Sequence, residues 1–241
     1  MPRLFIGSFL VGPEAERISS ITRARADQFS SGFKSRLSLD QSSNSGSDAL
    51  PHQDKELRIR ALPQEKLHMT WLFLGEVSSE QVDEITRIFV VTLEQLKNKL
   101  SCTAFEISYD QLSLWPSEDK ARVAVLRPSA PPPEVAIIDS EIRAALSNFQ
   151  ENEEVYPQFN PHLTVFRISP AGDLRAIKLM QMPPMTSTTS LPSISSNSSI
   201  PEVLPGRESM PYEQPILPVK HTISIDDIHL IESENGYTII A

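Results

Sequence analysis

The sequence predicts an α+β fold of two lobes, in which two antiparallel sheets face a central cleft and the helices lie outside. One observation is that strand-like segments outnumber helical segments and do not alternate with them as in a parallel α/β sheet. A second is that the pattern His-x-Thr occurs twice, at residues 68–70 and 162–164, each time within an apolar run. Since strand side chains alternate between two faces, one motif strand from each lobe would present its His and Thr to the cleft.

Both lobes are expected to form one interwoven domain over residues 1–241, interrupted by two insertions. Ser, Gly, Asn and Asp dominate residues 30–55, and Ser, Thr and Pro dominate residues 180–220. Such segments cannot bury enough apolar surface to offset the entropy that is lost on ordering. We therefore predict that both insertions are disordered.

The first part of the chain predicts three strands and two helices. The first helix opens at Gly12-Pro13, since proline is tolerated at the first helical position, and its apolar face extends to Phe29. The second helix starts at a capping box formed by Ser78 and Gln81, and its apolar spacing continues to Leu100. The predicted strands are residues 4–11, 57–62 and 67–74.

The remainder of the chain predicts five strands and one helix. Pro131 introduces the third helix, whose apolar stripe reaches Phe149. Residues 234–236, Glu-Asn-Gly, predict a hairpin turn between the last two strands. The predicted strands are residues 104–114, 121–126, 161–166, 222–231 and 237–240.

Composition restricts the class of protein. The formal net charge is −9, which excludes a broad basic nucleic-acid-binding surface, although a few Arg and Lys in one groove can still bind an RNA end. The one cysteine, Cys102, permits no intramolecular disulfide and no Cys-based zinc site. No run approaches the ~18 apolar residues that span a bilayer, and residues 4–11 make a poor signal-peptide core. We expect a cytoplasmic monomer that binds no membrane.

The paired motifs predict acid–base chemistry on a phosphodiester. Histidine suits both roles because its unperturbed pKa of about 6.5 keeps both protonation states populated near neutrality. The hydroxyls of Thr70 and Thr164 would donate hydrogen bonds to non-bridging phosphate oxygens. No metal or cofactor is expected, because the sequence has no clustered carboxylates and no Cys/His ligand set. For either motif alone, the alternative is a half-buried structural histidine that bonds to its Thr neighbour.

The residues around both motifs resemble one family. Lys66-Leu-His-Met-Thr-Trp-Leu-Phe-Leu-Gly-Glu76 and Phe159-Asn-Pro-His-Leu-Thr-Val-Phe-Arg167 are similar to the bacterial RNA 2′,3′-cyclic phosphodiesterases of the 2H phosphoesterase superfamily, historically called 2′-5′ RNA ligases. The opening Arg3-Leu-Phe-Ile-Gly and the closing strand near Tyr237 also fit. The likeness covers residues 1–29, about 57–170 and about 221–241. It implies the two-lobed fold and the metal-independent hydrolysis of RNA 2′,3′-cyclic ends to 2′-phosphomonoesters.

The resemblance also implies roles for individual residues. His68 of the first motif would be the proton donor, and His162 of the second motif the proton acceptor. Arg167 matches the arginine of the family's second motif. It stands an odd number of residues after His162, so a bulge or a strand end is needed to turn its guanidinium toward phosphate. Arg122 resembles a family position near the cleft and is a further candidate for substrate binding.

Several alternatives stay open at this point. The same site would catalyse RNA ligation to a 2′-5′ linkage, because a catalyst lowers one barrier that both directions share. A non-catalytic nucleotide- or RNA-binding module is the alternative from another class, although such a module has no need for two acid–base imidazoles. Three basic residues before the first motif either steer an RNA terminus or form an exposed strand face: Arg58, Arg60 and Lys66. Three aromatic residues either stack on bases or belong to the core: Trp71, Phe73 and Phe166. Two histidines lack the Thr partner and are expected to be structural or surface residues: His221 and His229.

Overall fold

The computed structural model describes residues 1–40, 58–117, 120–149, 159–169, 216–234 and 236–241, and within the first helix it describes side chains as far as Asp27. In this part of the chain the helices are α1 (Gly12–Asp40), α2 (Ser79–Lys99) and α3 (Pro133–Leu146). The strands are β1 (Arg3–Phe9), β2 (Arg58–Ala61), β3 (His68–Glu76), β4 (Ala104–Tyr109), β5 (Gln111–Trp115), β6 (Val123–Arg127), β7 (Leu163–Ser169), β8 (Val219–Ser224), β9 (His229–Glu232) and β10 (Thr238–Ile239). The predicted α+β class is confirmed.

The main sheet is antiparallel and consists of two halves joined edge to edge. Its strand order is β10-β9-β1-β3-β7-β6-β5, and β2 pairs with the later part of β7. The first motif strand, β3, and the second, β7, share one residue pair, Met69 with Leu163. The two sheets that the sequence predicts are therefore continuous, and the motif strands form the joint between them.

Two apolar segments that the sequence predicts as single strands are each divided in two. Residues 104–114 form β4 and β5, which pair with different partners, β8 and β6. The break falls at Asp110, whose carboxylate accepts hydrogen bonds from the backbone N–H of Ser129, at 2.7 Å, and from its hydroxyl. Residues 222–231 are divided by a 3-10 turn, Ile225–Asp227, which Ser224 caps. Both divisions let the chain leave the main sheet and form the separate β4–β8 ribbon.

The boundaries of the two predicted insertions also differ from the structure where residues are described. Helix α1 continues to Asp40, although the sequence predicts that the first insertion begins at residue 30. Strand β8 begins at Val219, within the segment predicted as the second insertion, and Ile216 is already buried. The remainder of both segments, residues 41–57 and 170–215, lies outside the described residues, so the insertions themselves stay predictions.

The hydrophobic core lies on one face of the main sheet. Leu4, Ile6, Met69 and Leu163 point into it and have no exposed surface. The helices contribute their apolar stripes to the same core: Ile18, Ile21, Ile85, Phe89, Leu96, Val135, Ile138 and Ile142. The predicted capping box at the start of α2 is confirmed, with the side chain of Ser78 accepting from the backbone N–H of Gln81 and the converse bond also present. Helices thus cover the face of the joint to which Met69 and Leu163 point.

Candidate active site

The motif side chains are arranged crosswise about the joint between β3 and β7. Because the strands are antiparallel, His68 lies on the side of Thr164, and Thr70 lies on the side of His162. Met69 and Leu163 point into the core, so these four neighbours point to the opposite face. With strands ~4.8 Å apart and alternate residues ~6.6 Å apart, the four positions surround an area that one phosphate group can fill.

Strand β3 has an irregularity directly after its motif. Gly7 of β1 lies opposite Thr70, and the next residue of β1, Ile6, lies opposite Leu72, so Trp71 is an extra residue. A bulge of this kind reverses the alternation of side chains beyond it. Phe73, five residues after His68, is therefore on the cleft face, where its side chain is 46% exposed.

Strand β7 has the same irregularity at the same place. Val125 of β6 lies opposite Thr164, and Ala124 lies opposite Phe166, so Val165 is the extra residue. Arg167, five residues after the second motif's histidine, is thereby turned to the face of Thr164 and is exposed. The bulge that the sequence requires for this arginine is present.

The imidazole of His68 is held by a backbone carbonyl and three aromatic rings. Its Nδ1 lies 2.9 Å from the carbonyl oxygen of Lys66. A carbonyl only accepts, so Nδ1 carries a proton and Nε2 is the nitrogen that can exchange one. The ring centroids of Phe5, Phe9 and Tyr237 lie 5.1, 5.8 and 5.1 Å from that of His68. The carbonyl and the three rings therefore fix the orientation of the imidazole, and Nε2 is the nitrogen that is not used to hold it.

Gly7 allows the aromatic rings to close around His68. A Cβ at this position would lie 3.0 Å from Cε2 of Phe5 and 3.1 Å from the carbonyl oxygen of Met69. Any larger residue would displace the Phe5 ring or open the β1–β3 pairing.

The imidazole of His162 is held in a similar way with fewer rings. Its Nδ1 lies 2.8 Å from the carbonyl oxygen of Asn160, so its Nε2 is also the exchangeable nitrogen. One aromatic ring, Trp115, packs against it with a centroid distance of 4.4 Å. Both motifs therefore bond the histidine to the carbonyl two residues earlier.

The surroundings lower the pKa of both histidines. Burial is the largest cause for His68, and the positive charges of His162 and Arg167 lower its pKa further, against the hydrogen bond to Lys66. Burial is also the largest cause for His162, and Arg127 lowers its pKa further, against the bond to the Asn160 carbonyl. The register places His68 beside Thr164, whose neighbours on the same face are His162 and, past the bulge, Arg167.

The threonine hydroxyls are not used to hold the histidines. Among the described residues, no hydrogen bond joins His68 to Thr70 or His162 to Thr164, since each histidine bonds to a carbonyl instead. This contradicts the alternative of a structural histidine bonded to its Thr neighbour. Both hydroxyls are partly exposed on the cleft face, where they can donate to a ligand.

Three arginines of the second half lie near the motif strands, and two of them influence the titration of motif-face residues. Arg167 influences the pKa of Tyr237 as well as that of His68. Arg127, at the end of β6, influences His162. Arg122 precedes β6 and is exposed, and its backbone bonds to Trp115 and Ile168. Val123, the next residue, pairs with Arg167, so Arg122 is expected on the opposite face of the sheet. Its role in binding stays a prediction.

Sequence reasoning missed several residues that contact the motif histidines. Tyr237 lies at the edge of a strand of two residues, too short to give a periodic signal. Phe5, Gly7 and Phe9 are alternate residues of β1 and therefore share one face. This pattern of two aromatic residues around a glycine is the sequence feature that could have indicated them. Of the predicted structural histidines, His221 is buried, with Nε2 donating to the Phe9 carbonyl at 3.1 Å.

The described residues contain neither a metal-binding cluster nor a membrane-spanning helix. In these ranges no group of three or more His, Cys, Asp or Glu side chains is placed to hold a metal ion. None of the helices in the same ranges is both long enough and apolar enough to cross a membrane.

The chain is similar to known phosphoesterases. A family model described as "LigT like Phosphoesterase" matches residues 47–125, which contain the first motif. This match confirms the resemblance to the 2H phosphoesterase superfamily, and it supports phosphoesterase chemistry in general. No curated protein matches the chain.

Solved structures of the same kind also match. Escherichia coli LigT in its apo form is 18% identical, with a TM-score of 0.47, and the match covers 100% of this chain and 95% of that chain. The complex of the same protein with 3′-AMP gives 18% identity, a TM-score of 0.47 and coverage of 100% and 97%. A Thermus thermophilus protein is 18% identical, with a TM-score of 0.49, and the match covers 99% of this chain and 95% of that chain. At these scores no residue role rests on the likeness.

Proposed function

We propose that this chain is a phosphodiesterase that opens 2′,3′-cyclic phosphate ends of RNA to 2′-phosphomonoesters. The observation that carries the proposal is the crosswise placement of two His-x-Thr motifs about one residue pair, with both Nδ1 atoms bonded to backbone carbonyls. Two exchangeable Nε2 atoms and two hydroxyls on one face are the groups that general acid–base hydrolysis of a small phosphodiester needs.

The proposed reaction balances with water as the only co-substrate. Nε2 of neutral His162 removes a proton from water as its oxygen attacks phosphorus. The bond between phosphorus and the ribose 3′ oxygen breaks, and the protonated Nε2 of His68 gives its proton to that oxygen. The hydroxyls of Thr70 and Thr164 donate to the non-bridging oxygens, on which negative charge develops. Arg167 adds a positive charge beside them.

The surroundings lower the pKa of both histidines, so the distribution of the two roles rests on the family resemblance. Burial and Arg127 lower the pKa of His162, which favours the neutral form that a base requires. Arg167 and His162 lower the pKa of His68 beyond the effect of burial, and a lower pKa makes its imidazolium a stronger acid. The negative charge of a bound phosphate opposes this lowering of the pKa at both histidines.

Hydrolysis of a 2′,3′-cyclic nucleotide by the wild type and by His68→Ala tests the proposal. Phosphorus NMR distinguishes a 2′- from a 3′-phosphomonoester, and circular dichroism checks that the variant is folded. We expect 2′-product from the wild type, with activity that EDTA does not remove. A wild type that binds the nucleotide without hydrolysing it would instead be the non-catalytic binding module. Monomeric state, the cytoplasmic location and the absence of a metal remain part of the proposal.

A further inference from the structure

Two arginines lie directly opposite each other beside the motif face. Arg60 of β2 pairs with Arg167 of β7, and residues paired in this way have side chains on the same face. Their Cα atoms are about 4.5 to 5.5 Å apart. Both side chains are exposed.

This arrangement is unfavourable without a ligand. Like charges directly opposite in an antiparallel pair are destabilising. In the described ranges of the chain, neither Arg60 nor Arg167 forms an ion pair with an acidic side chain, although the chain has 31 acidic residues for 22 basic ones. A chain with an excess of acids could readily place one here. Two adjacent unneutralised guanidiniums indicate a site for a ligand that carries more than one negative charge.

The position of the pair relative to the motifs indicates which charges these are. Arg167 follows Thr164 on the motif face of β7, past the bulge at Val165, and Thr164 is the residue beside His68, so Arg167 belongs with the phosphate at the proposed reacting centre. Arg60 lies on β2, which pairs with β7 along the same edge as β3 but beyond the motif pair. Its guanidinium can therefore bind an anion that lies beyond the reacting phosphate along this edge.

We propose that Arg60 binds the phosphodiester that joins the terminal nucleotide to its 5′ neighbour, so that the enzyme prefers a cyclic end on an RNA chain to a cyclic mononucleotide. The inference rests on the proposed function of the same site and names its substrate class. Arginine presents a planar fork of donors to phosphate oxygens, which suits recognition of a backbone phosphate of any sequence.

Three substrates separate this contact from the chemistry. One is a 2′,3′-cyclic mononucleotide, the second is a dinucleotide with a cyclic end, and the third is the same dinucleotide with a neutral methylphosphonate linkage. We expect wild-type kcat/KM to be about fivefold to tenfold higher for the ordinary dinucleotide than for the other two, as one charge-assisted contact provides. In Arg60→Gln this gain should disappear, while kcat/KM for the mononucleotide should change by less than about threefold.

The salt dependence gives a second readout. Each single-strand phosphate contact contributes about −0.7 to the slope of log affinity against log salt concentration. The slope of kcat/KM for the dinucleotide should therefore become shallower by about 0.7 in Arg60→Gln. Arg87→Gln is the matched control, because Arg87 is an exposed arginine of α2, a helix that packs on the core face of the sheet. Arg87→Gln should keep the wild-type preference for the dinucleotide and the wild-type salt dependence of kcat/KM.

The outcomes distinguish the two proposals. Equal wild-type kcat/KM for mononucleotide and dinucleotide, or an unchanged gain in Arg60→Gln, would overturn the inference about Arg60 and leave the hydrolytic function standing. If no substrate is hydrolysed, the proposed function fails, and the Arg60 contact is then decided by binding. Titration with a dinucleotide that ends in a 2′-phosphate should give weaker binding to Arg60→Gln than to wild type, and equal binding would reject the contact.

Discussion

The two motif strands have the same backbone arrangement and differ in the side chain that the bulge returns to the motif face. In β3 and in β7 the histidine bonds to the carbonyl two residues earlier, the threonine follows, and a bulge comes directly after it. The bulge returns the fifth residue after the histidine to the cleft face. That residue is Phe73 in one half and Arg167 in the other. The comparison teaches that the two halves position a histidine and a threonine equivalently, while one half adds an aromatic side chain and the other adds charge.

The two histidines also differ in what surrounds them. Three aromatic rings enclose His68, whereas one ring packs on His162. Each has a nearby positive charge from the second half, Arg167 for the first and Arg127 for the second. The predictions below test which of these differences affects the reaction.

The largest expected effect comes from removing either imidazole. His68→Ala and His162→Ala should each lower kcat for a 2′,3′-cyclic phosphate by ~10²-fold or more, because general acid or base catalysis is lost. The double variant should lose less than the product of the two single losses, since the two groups act as one unit. Single-turnover kinetics on folded variants measures this, and full activity of His162→Ala would refute the two-histidine mechanism.

A smaller effect is expected from the threonines, and it should be similar in both halves. Thr70→Val and Thr164→Val keep the shape of the side chain and remove one donor to a non-bridging oxygen. Each should lower kcat by on the order of tenfold to a hundredfold, with little change in KM. A change confined to KM in either variant would mean that the hydroxyl contacts the ground state as strongly as the transition state.

The equivalent positions Phe73 and Arg167 should respond unequally to replacement. Arg167→Gln should lower kcat/KM about tenfold, because a charged contact to phosphate is removed. Phe73→Leu keeps an apolar side chain and should change kcat/KM less than about threefold. Equal losses from the two variants would show that the charge of Arg167 has no special role.

The smallest expected effect is on the pH profile. Because burial lowers the pKa of both histidines, the optimum of kcat/KM should lie on the acid side of 6.5. Tyr237→Ala exposes His68 and should raise its pKa. If His68 is the acid, the basic limb of the profile then moves to higher pH. Trp115→Ala exposes His162 and should raise the pKa of His162, which moves the acidic limb to higher pH instead.

NMR titration of the two imidazoles measures the same shifts directly. Each replacement should raise the pKa of the histidine that it touches more than that of the other histidine. If both replacements shift the same limb, the assignment of acid and base to separate histidines is wrong.

Much of the fold follows from local patterns in the sequence. The capping box at Ser78, the apolar stripes of the helices and the two motif strands all appear where periodicity predicts them. The divisions of the chain at Asp110 and at Ile225–Asp227 do not follow from the same patterns. There the apolar alternation continues while the strand changes its pairing partner, and pairing is a long-range property.

The candidate site was predictable to the extent that its residues lie within the motifs. Arg167 faces the cleft because of the bulge at Val165. The odd spacing from His162 indicates that a bulge or a strand end is needed, but it does not indicate at which residue. The contact of Tyr237 with His68 and the electrostatic influence of Arg127 on His162 depend on strands that are distant along the chain. Residues of this kind are found by their position in the sheet, and no local spacing identifies them.

The crosswise order at the Met69–Leu163 pair has a consequence for regiochemistry. A half-turn about this pair exchanges His68 with His162 and Thr70 with Thr164. A cyclic phosphate has two ring oxygens, and with respect to these four groups alone it could enter in either orientation, so that either oxygen would depart. The half-turn fails at Phe73 and Arg167, and it also fails at the rings that pack on the two histidines. If the chain has the proposed activity, the choice between the 2′ and the 3′ oxygen therefore depends on these surrounding residues, because the four motif groups alone favour neither orientation.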